Sequence, residues 1–227
     1  MRKIMTNAAS SATRLAQVRN RIAAAAEAAG RALQDVRLVA VSKTFDAPDI
    51  IPVIEAGQRC FGENRVREAM QKWPALKARY GDIELHLIGP VQTNKAADAV
   101  RFFDVIQSLD RPKLAEVLTR EMARQNRRPY LYIQVNTGDE SQKAGIAVAE
   151  ADHFVRSCVA GLNLPVVGLM CIPPVEADPE PHFRLLAEIA ERSGLKRLSM
   201  GMSGDYEAAI ACGATDVRIG SAIFGAR

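Results

Sequence analysis

The sequence has few of the features that mark secreted or membrane-spanning proteins. Its 227 residues include four cysteines, and none of them forms a C-x-x-C pair. This pattern argues against a zinc site and favours reduced thiols over a disulfide framework. No apolar run approaches the roughly 18 residues of a membrane span, and the amino terminus lacks the continuous apolar stretch of a signal peptide. We therefore expect a cytoplasmic protein without a metal site or membrane association.

Aromatic residues and net charge are also low. The seven Phe, four Tyr and one Trp are not interleaved with basic residues, and the net charge is 30 − 26 = +4. The densest basic run, Arg124, Arg127 and Arg128, follows a helix-like segment. It fits a solvated helix end better than a nucleic-acid contact. We expect no nucleic-acid partner, and we expect a monomer because no exposed apolar helix face stands out.

Short apolar runs alternate with helix-like segments along nearly the whole chain. A helix is predicted over residues 12–29, ending at Gly30. Eight runs are typical of buried parallel strands. They are RLVAVSK (37–43), QRCFG (58–62), IELHLIG (83–89), FFDVIQS (102–108), YLYIQVN (130–136), LPVVGLMC (164–171), KRLSMG (196–201) and TDVRIG (215–220).

This alternation predicts an α/β fold, a (β/α)8 TIM-type barrel with an extra N-terminal helix. A doubly wound open sheet is the alternative, but it favours fewer strands and more uneven connections. No repeat or linker interrupts the pattern, so residues 1–227 are predicted to form a single domain. In a barrel, the polar residues that follow the strands meet on one rim, where functional sites lie.

Two glycine-containing turns follow the last two predicted strands. Ser203 occupies the expected N-cap of the first following helix, with Gly204 beside it, and Gly220 and Ser221 begin the second. Free N–H groups at helix starts attract anions. Either turn alone fits a helix cap, but together they predict a cradle for one phosphate. Asp205 is expected in the first helical turn, pointing to solvent.

Lys43 and Arg218 suggest what carries the phosphate. Under two-residue alternation, Lys43 shares a face with Val39 and points inward at the end of its strand. Such an amine can attack a carbonyl, although it can also simply reach water. An aldehyde that carries a phosphate fits both features, and pyridoxal 5′-phosphate (PLP) is the biological example. Arg218 is either the partner of the pyridine nitrogen, which it would keep neutral, or the ion-pair partner of Asp216 or of another carboxylate on the rim.

Six ordered motifs resemble the pyridoxal phosphate homeostasis protein family. They are VAVSKT (39–44), FGENRVREAMQK (61–72), HLIGPVQTNK (86–95), VNTGDESQKAGI (135–146), GLMCIPP (168–174) and LSMGMSGDYEAAIACGATDVRIGSAIFG (198–225). The resemblance covers nearly all of the chain after the predicted N-terminal helix.

The resemblance implies the barrel of bacterial alanine racemase, with PLP on Lys43 as an internal aldimine. It implies that the turns at Ser203–Gly204 and Gly220–Ser221 hold the phosphate and that Arg218 faces the pyridine nitrogen. It also implies a PLP-binding protein that buffers PLP and delivers it to apoenzymes, in vitamin B6 and amino-acid homeostasis, without catalytic turnover of its own.

Three motif residues are open to two interpretations. Asn64 either bonds near the cofactor or stabilises a turn. His86 is expected to be a hydrogen-bonded core histidine. Lys143 either forms a surface ion pair beside Asp139 and Glu140 or is a second amine that accepts PLP during transfer.

The sequence gives no second acid or base for a racemase. In alanine racemase, a tyrosine from a separate β domain faces the lysine, whereas this sequence ends at Arg227 directly after the eighth unit. We therefore expect no catalytic residue. One alternative is a PLP-dependent amino-acid racemase or decarboxylase completed by a partner chain. The other is a barrel enzyme that acts on a phosphorylated sugar or metabolite, with Lys43 forming a Schiff base.

Overall fold

The computed structural model describes residues 2–140 and 142–225 of the chain. Each predicted strand run overlaps one strand of the structure, and β2 and β4 each extend one residue beyond the predicted run. The strands are β1 (Arg37–Val41), β2 (Cys60–Glu63), β3 (Glu84–Leu87), β4 (Val105–Leu109), β5 (Tyr130–Asn136), β7 (Val166–Met170), β8 (Arg197–Ser199) and β9 (Asp216–Ile219). A short extra strand, β6 (Ile146–Ala147), pairs with β5.

The eight main strands close into a parallel barrel, and the predicted (β/α)8 fold is confirmed. The sheet order is β4-β3-β2-β1-β9-β8-β7-β5, and a pairing between β4 and β5 closes it. The pairing of β1 with β9 joins the first strand to the last, in the register Ala40 to Ile219. This closure excludes the open doubly wound sheet.

Nine helices surround this barrel in the part of the chain that the structure describes. They are α1 (Arg2–Ala28), α2 (Ala47–Glu55), α3 (Val66–Tyr80), α4 (Ala96–Phe102), α5 (Pro112–Gln125), α6 (Val148–Arg156), α7 (Pro179–Arg192), α8 (Tyr206–Ala211) and α9 (Ser221–Phe224). The segment Ser157–Gly161 continues α6 as a π-helical turn, and Leu33–Asp35 and Thr93–Lys95 are 3-10 turns. None of the helices combines the length and the apolar character of a membrane span.

The extra N-terminal helix covers the seam between the first and last strands. It begins at Arg2, earlier than the predicted residue 12. Leu15, Val18 and Ile22 are buried at helical spacing, and α1 packs against α2, α8 and α9. Because α2 follows β1 and α9 follows β9, this helix stabilises the closure of the barrel.

The strands separate an apolar outer layer from a polar barrel interior. Leu38 and Ala40 belong to the apolar core between the strands and the helices. Gln107, Ser199 and Arg218 are buried as well, but they hydrogen-bond to one another, as buried polar groups must. This polar interior was not predicted from the sequence.

Candidate functional site

Lys43 lies in the loop that follows β1, on the rim formed by the carboxyl ends of the strands. The strand ends at Val41, so Lys43 is two residues beyond it, and its side chain is exposed. The next residue, Thr44, has a φ of 67°, a left-handed conformation that is uncommon for a non-glycine residue. Its N–H donates to Glu68 Oε1 at 2.7 Å, which holds the turn in place.

A second lysine, Lys72 of α3, fixes the backbone on both sides of Lys43. Its Nζ donates to the carbonyls of Ser42 and Phe45 at 2.8 and 3.0 Å. It also forms an ion pair of 2.9 Å with Glu63, whose side chain is fully buried. The loop therefore presents the Lys43 amine from an anchored backbone. Lys72 was given no role from the sequence, although it is the last residue of the motif FGENRVREAMQK (61–72).

Glu63 connects this anchor to the end of β2. Its Oε1 accepts hydrogen bonds from the Ser42 hydroxyl at 2.6 Å and from Trp73 Nε1 at 3.0 Å. Burial raises the pKa of the Glu63 carboxyl, and the contacts with Ser42 and Lys72 counteract that rise. The carboxylate thus depends on these donors for its place inside the protein.

The turn after β8 is built differently from the prediction. Helix α8 begins at Tyr206, so Asp205 occupies the N-cap position and lies before the first helical turn. The Asp205 carboxylate accepts the N–H of Met202 at 2.6 Å. The predictions that Ser203 caps the helix and that Asp205 points to solvent are therefore wrong, because the aspartate closes the turn itself.

This arrangement leaves the Ser203 and Gly204 groups available. Within residues 2–140 and 142–225, neither backbone N–H has a hydrogen-bond acceptor, and the Ser203 hydroxyl has no partner. A Cβ placed on Gly204 would meet no atom within 4 Å, so the space beside it is open. The turn can therefore donate to an anion from outside.

The turn after β9 lies directly beside the Lys43 segment. A Cβ on Gly220 would lie 3.2 Å from the carbonyl oxygen of Val41. Ser221 begins α9, and its backbone N–H and that of Ala222 find no acceptor among the described residues. Phe224, at the end of α9, stacks on Phe45 with ring centroids 5.0 Å apart. The second predicted phosphate turn and the lysine loop are therefore packed together.

Arg218 lies on β9 between these features, and it is only 4% exposed. Its Nη1 donates to Ser199 Oγ at 2.7 Å and its Nη2 to the carbonyl of Cys171 at 2.9 Å. The alternative of an ion pair with Asp216 is wrong, because the Asp216 carboxylate pairs with Arg37 at 2.6 Å. Burial lowers the pKa of the Arg218 guanidinium.

The two turns follow the adjacent strands β8 and β9, and Arg218 lies on β9. The Arg218 N–H donates to the carbonyl of Gly201 at 3.0 Å, and Val39 of β1 is in register with Arg218. The structure thus brings Lys43, Arg218 and both predicted turns to the same end of β8, β9 and β1. These groups could hold a molecule that carries an aldehyde, a phosphate and a neutral ring nitrogen.

Asn64 lies one strand further along the same rim. It follows β2, is half-buried and makes no side-chain hydrogen bond to another described residue. It also lines a cleft of about 680 Å³ whose wall includes Arg65, Arg67 and Lys95. The side-chain amide is therefore not used to stabilise a turn within the described part of the chain.

His86 is a buried, hydrogen-bonded core histidine, as predicted. Its Nε2 contacts Glu84 Oε1 at 2.5 Å and Cys60 Sγ at 3.3 Å. These three residue types can bind metals, a grouping that the spacing of the cysteines did not reveal. Arg37 Nη1 lies 2.5 Å from the same Glu84 oxygen, so a cation already occupies this carboxylate and hydrogen bonds account for the cluster.

The remaining charged residues singled out in the sequence are paired within the chain. Lys143 forms an ion pair with Glu140 at 2.5 Å. In the basic run, Arg124 pairs with Glu121 at 2.7 Å, Arg127 pairs with Asp104 at 2.9 Å and Arg128 donates to the Asn163 carbonyl.

Comparison with known proteins gives the family. The model for "Alanine racemase, N-terminal domain" matches residues 13–227. The pyridoxal phosphate homeostasis protein of Escherichia coli (strain K12) is 41% identical over 222 residues, which cover 94% of this chain and 95% of that protein. The chain therefore belongs to the pyridoxal phosphate homeostasis proteins, which share the barrel of the alanine racemase N-terminal domain.

Two solved proteins have closely similar structures. The solved structure of an unknown protein from Bifidobacterium adolescentis is 34% identical to this chain, with a TM-score of 0.92 and 96% of both chains covered. PipY of Synechococcus elongatus is 36% identical and has been solved without PLP (TM-score 0.83, covering 94% of this chain and 99% of that chain). The structure of PipY with PLP bound has a TM-score of 0.81 and covers 95% of this chain and 100% of that chain.

Proposed function

We propose that this protein binds PLP through Lys43, holds it in exchangeable form and supplies it to apoenzymes, without amino-acid turnover of its own. The observation that carries the proposal is the convergence of three kinds of group at one rim. They are an exposed lysine amine, a buried guanidinium with neutral acceptors, and two turns with unused N–H donors. The membership of the family and the PLP bound in PipY support the choice of PLP.

The residues of the rim fit the chemical parts of PLP. PLP supplies an aldehyde to which a lysine amine can bond covalently. The loop of Lys43 packs against α9 through Phe45, so this lysine lies beside the second turn. The N–H groups of Ser203, Gly204 and Ser221, with the two hydroxyls, offer donors for a phosphate.

Arg218 sets the electronic character that we propose for the site. A guanidinium donates hydrogen bonds and cannot accept them, so it would leave the ring nitrogen unprotonated. An unprotonated ring is a weak electron sink, which suits holding a cofactor better than breaking bonds to the α carbon of an amino acid.

The positions of the four tyrosines also favour a carrier. Tyr132 donates from inside the barrel to Asp216 at 2.7 Å, and burial raises the pKa of its hydroxyl. Tyr206 is buried against α1, where Arg21 lies 5.5 Å from its ring centroid. Tyr80 is bonded to Glu55 at 3.0 Å, and Tyr130 is an exposed residue at the start of β5, the opposite end from the rim. None is placed as the second acid or base opposite Lys43.

The test is a transfer experiment with the PLP-loaded protein. After removal of free PLP, we expect it to restore activity to the apo form of a PLP enzyme, while an amino-acid panel shows no racemisation or decarboxylation above that of free PLP. Lys113→Ala, on the exposed surface of α5, is the matched control for Lys43→Ala. Turnover of an amino acid that depends on Lys43 would favour the racemase or decarboxylase alternative instead.

A further inference from the structure

A continuous chain of hydrogen bonds crosses the barrel interior, starting at Arg218. Arg218 Nη1 lies 2.7 Å from Ser199 Oγ, which lies 2.6 Å from Gln107 Oε1. Gln107 Nε2 lies 2.7 Å from His86 Nδ1. His86 Nε2 lies 2.5 Å from Glu84 Oε1. Five residues from four strands are thus linked in series.

The chemistry of the two ends fixes the direction of every donor. Arg218 can only donate, and an ionised Glu84 can only accept. The Ser199 hydroxyl therefore accepts from Arg218 and donates its proton to Gln107 Oε1. The amide of Gln107 then turns its NH2 towards His86, whose Nδ1 accepts while Nε2–H donates to Glu84. All four bonds point from Arg218 towards Glu84.

The chain joins the two ends of the barrel. Arg218 contacts the rim through its bond to the Cys171 carbonyl, which follows β7. Ser199, Gln107 and His86 are at most 1% exposed, so water cannot readily replace a missing partner. Glu84 is the first residue of β3, at the opposite end from the rim, and its side chain is 40% exposed.

We propose that Ser199, Gln107 and His86 are positioning residues for Arg218, and that this chain couples the guanidinium facing the PLP ring nitrogen to the carboxylate of Glu84 at the other end of the barrel. The inference rests on the proposed function. Ser199 presents a lone pair to Arg218 because its own proton is committed to Gln107. If any hydrogen bond of the chain is lost, the Ser199 hydroxyl is free to reorient, and the Arg218 guanidinium can then change its hydrogen bond to the PLP ring.

The first test uses the PLP-free protein and nitrogen-15 NMR of its histidine side chains. The chain has three histidines, so the absence of one signal in His86→Gln assigns His86. At neutral pH, we expect His86 to be a neutral ring with its proton on Nε2, and we expect its Nδ1 resonance to shift in Gln107→Leu. A proton on Nδ1 in the wild type would overturn the direction of the chain.

The second test uses the PLP-loaded protein and its visible absorption band. Ser199→Ala and Gln107→Leu should shift the band in the same direction and weaken PLP binding by roughly two- to tenfold, the effect of one lost hydrogen bond. The double variant should bind PLP no less tightly than the single variant with the lower affinity, because both changes break the same chain of hydrogen bonds. Should Gln107→Leu fail to fold, Gln107→Met and the smaller change Ser199→Ala test the same link.

Ser108→Ala is the matched control. Ser108 is a buried serine on β4, and its hydroxyl donates to the Gly89 carbonyl at 2.6 Å, outside the chain. This variant should lose stability without a spectral shift. Wild-type bands and affinities in folded Ser199→Ala and Gln107→Leu would overturn the coupling. Absence of PLP binding by the wild type would instead reject the proposed function, while the NMR result would still decide whether the chain exists.

Discussion

The guanidinium of Arg218 bonds to the hydroxyl of Ser199 at 2.7 Å and not to the carboxylate of Asp216 on its own strand. Asp216 is engaged by Arg37, and the two groups that accept hydrogen bonds from the Arg218 guanidinium, the Ser199 hydroxyl and the Cys171 carbonyl, are neutral. A buried cation of this kind can serve a ligand, because no carboxylate among residues 2–140 and 142–225 accepts a hydrogen bond from its guanidinium.

Replacing Arg218 with Glu should change the spectrum of bound PLP. A carboxylate would favour a protonated ring nitrogen, so we expect the visible band to shift and PLP to be released faster. Arg218→Gln places a neutral amide there, so it should weaken PLP binding without protonating the ring nitrogen. Absorbance and dialysis measure both effects, and thermal unfolding identifies folded variants. An unchanged band and affinity in folded Arg218→Glu would show that Arg218 does not face the ring.

The serines of the two turns should discriminate PLP from pyridoxal, which lacks the phosphate. A hydrogen bond to a charged group contributes about 1.5–3 kcal/mol, so Ser203→Ala and Ser221→Ala should each weaken PLP binding by up to roughly ten- to hundredfold. The loss for pyridoxal should be smaller. The double variant should retain residual binding, because the backbone N–H donors remain.

The control for the serine variants is stability. Ser203 does not cap α8, so Ser203→Ala should leave the thermal midpoint nearly unchanged, whereas Asp205→Ala should lower it by removing the bond to the Met202 N–H. Titration of both ligands against each variant makes the comparison. Equal losses for PLP and pyridoxal would mean that the serines support the fold and do not contact phosphate.

Lys72→Met should destabilise the protein strongly, although Lys72 is not proposed to touch PLP. It would leave the buried Glu63 carboxylate without its cation, which typically costs about 3–5 kcal/mol of unfolding free energy. The double variant with Glu63→Gln should recover part of that loss. Urea unfolding measures both, and a Lys72→Met protein as stable as the wild type would show that the pair does not anchor the Lys43 loop.

The stability of the protein should depend on pH through His86. Burial is the main cause that lowers its pKa in the folded state, whereas the unfolded chain takes up this proton at about pH 6.5. Below that pH the unfolded state binds more protons, so the free energy of unfolding falls as the pH falls. The wild type should lose stability from pH 7 to 5, and His86→Gln should lose less.

Urea unfolding at pH 7 and pH 5 checks the contribution of His86. His153→Gln, which changes an exposed histidine of α6, should keep the wild-type slope. The bond to His86 and the charge of Arg37 hold the pKa of Glu84 at about 2. The stability that depends on the ionised Glu84 carboxylate is therefore lost below pH 5, outside the range from pH 7 to pH 5 in which His86 is tested. Equal slopes for His86→Gln and the wild type would contradict the assignment.

Much of the fold followed from the order of strand-like runs, because buried parallel strands form short apolar runs separated by helices. The rim residues followed from the same order, since parallel strands end together. The turn at Asp205 could not be predicted, because serine and aspartate are equally good N-caps and only the three-dimensional turn decides between them.

The polar barrel interior left a signal in the sequence that the prediction did not use. Glu84 and His86, and likewise Asp216 and Arg218, are two residues apart on strands that are otherwise apolar. This spacing places each pair on the interior face. The partners could not be predicted, because Ser199 and Gln107 are 92 residues apart and meet only when the barrel closes.

The most direct measurement is the identification of the lysine that carries PLP. The PLP-loaded wild type is reduced with borohydride, digested and mapped by mass spectrometry, beside Lys43→Ala and Lys143→Ala. We expect the trapped adduct on Lys43 in the wild type and in Lys143→Ala. Lys43→Ala should lose both the adduct and the visible band while keeping its thermal midpoint. A wild-type adduct on another lysine, or an undiminished adduct in Lys43→Ala, would contradict the central role of Lys43.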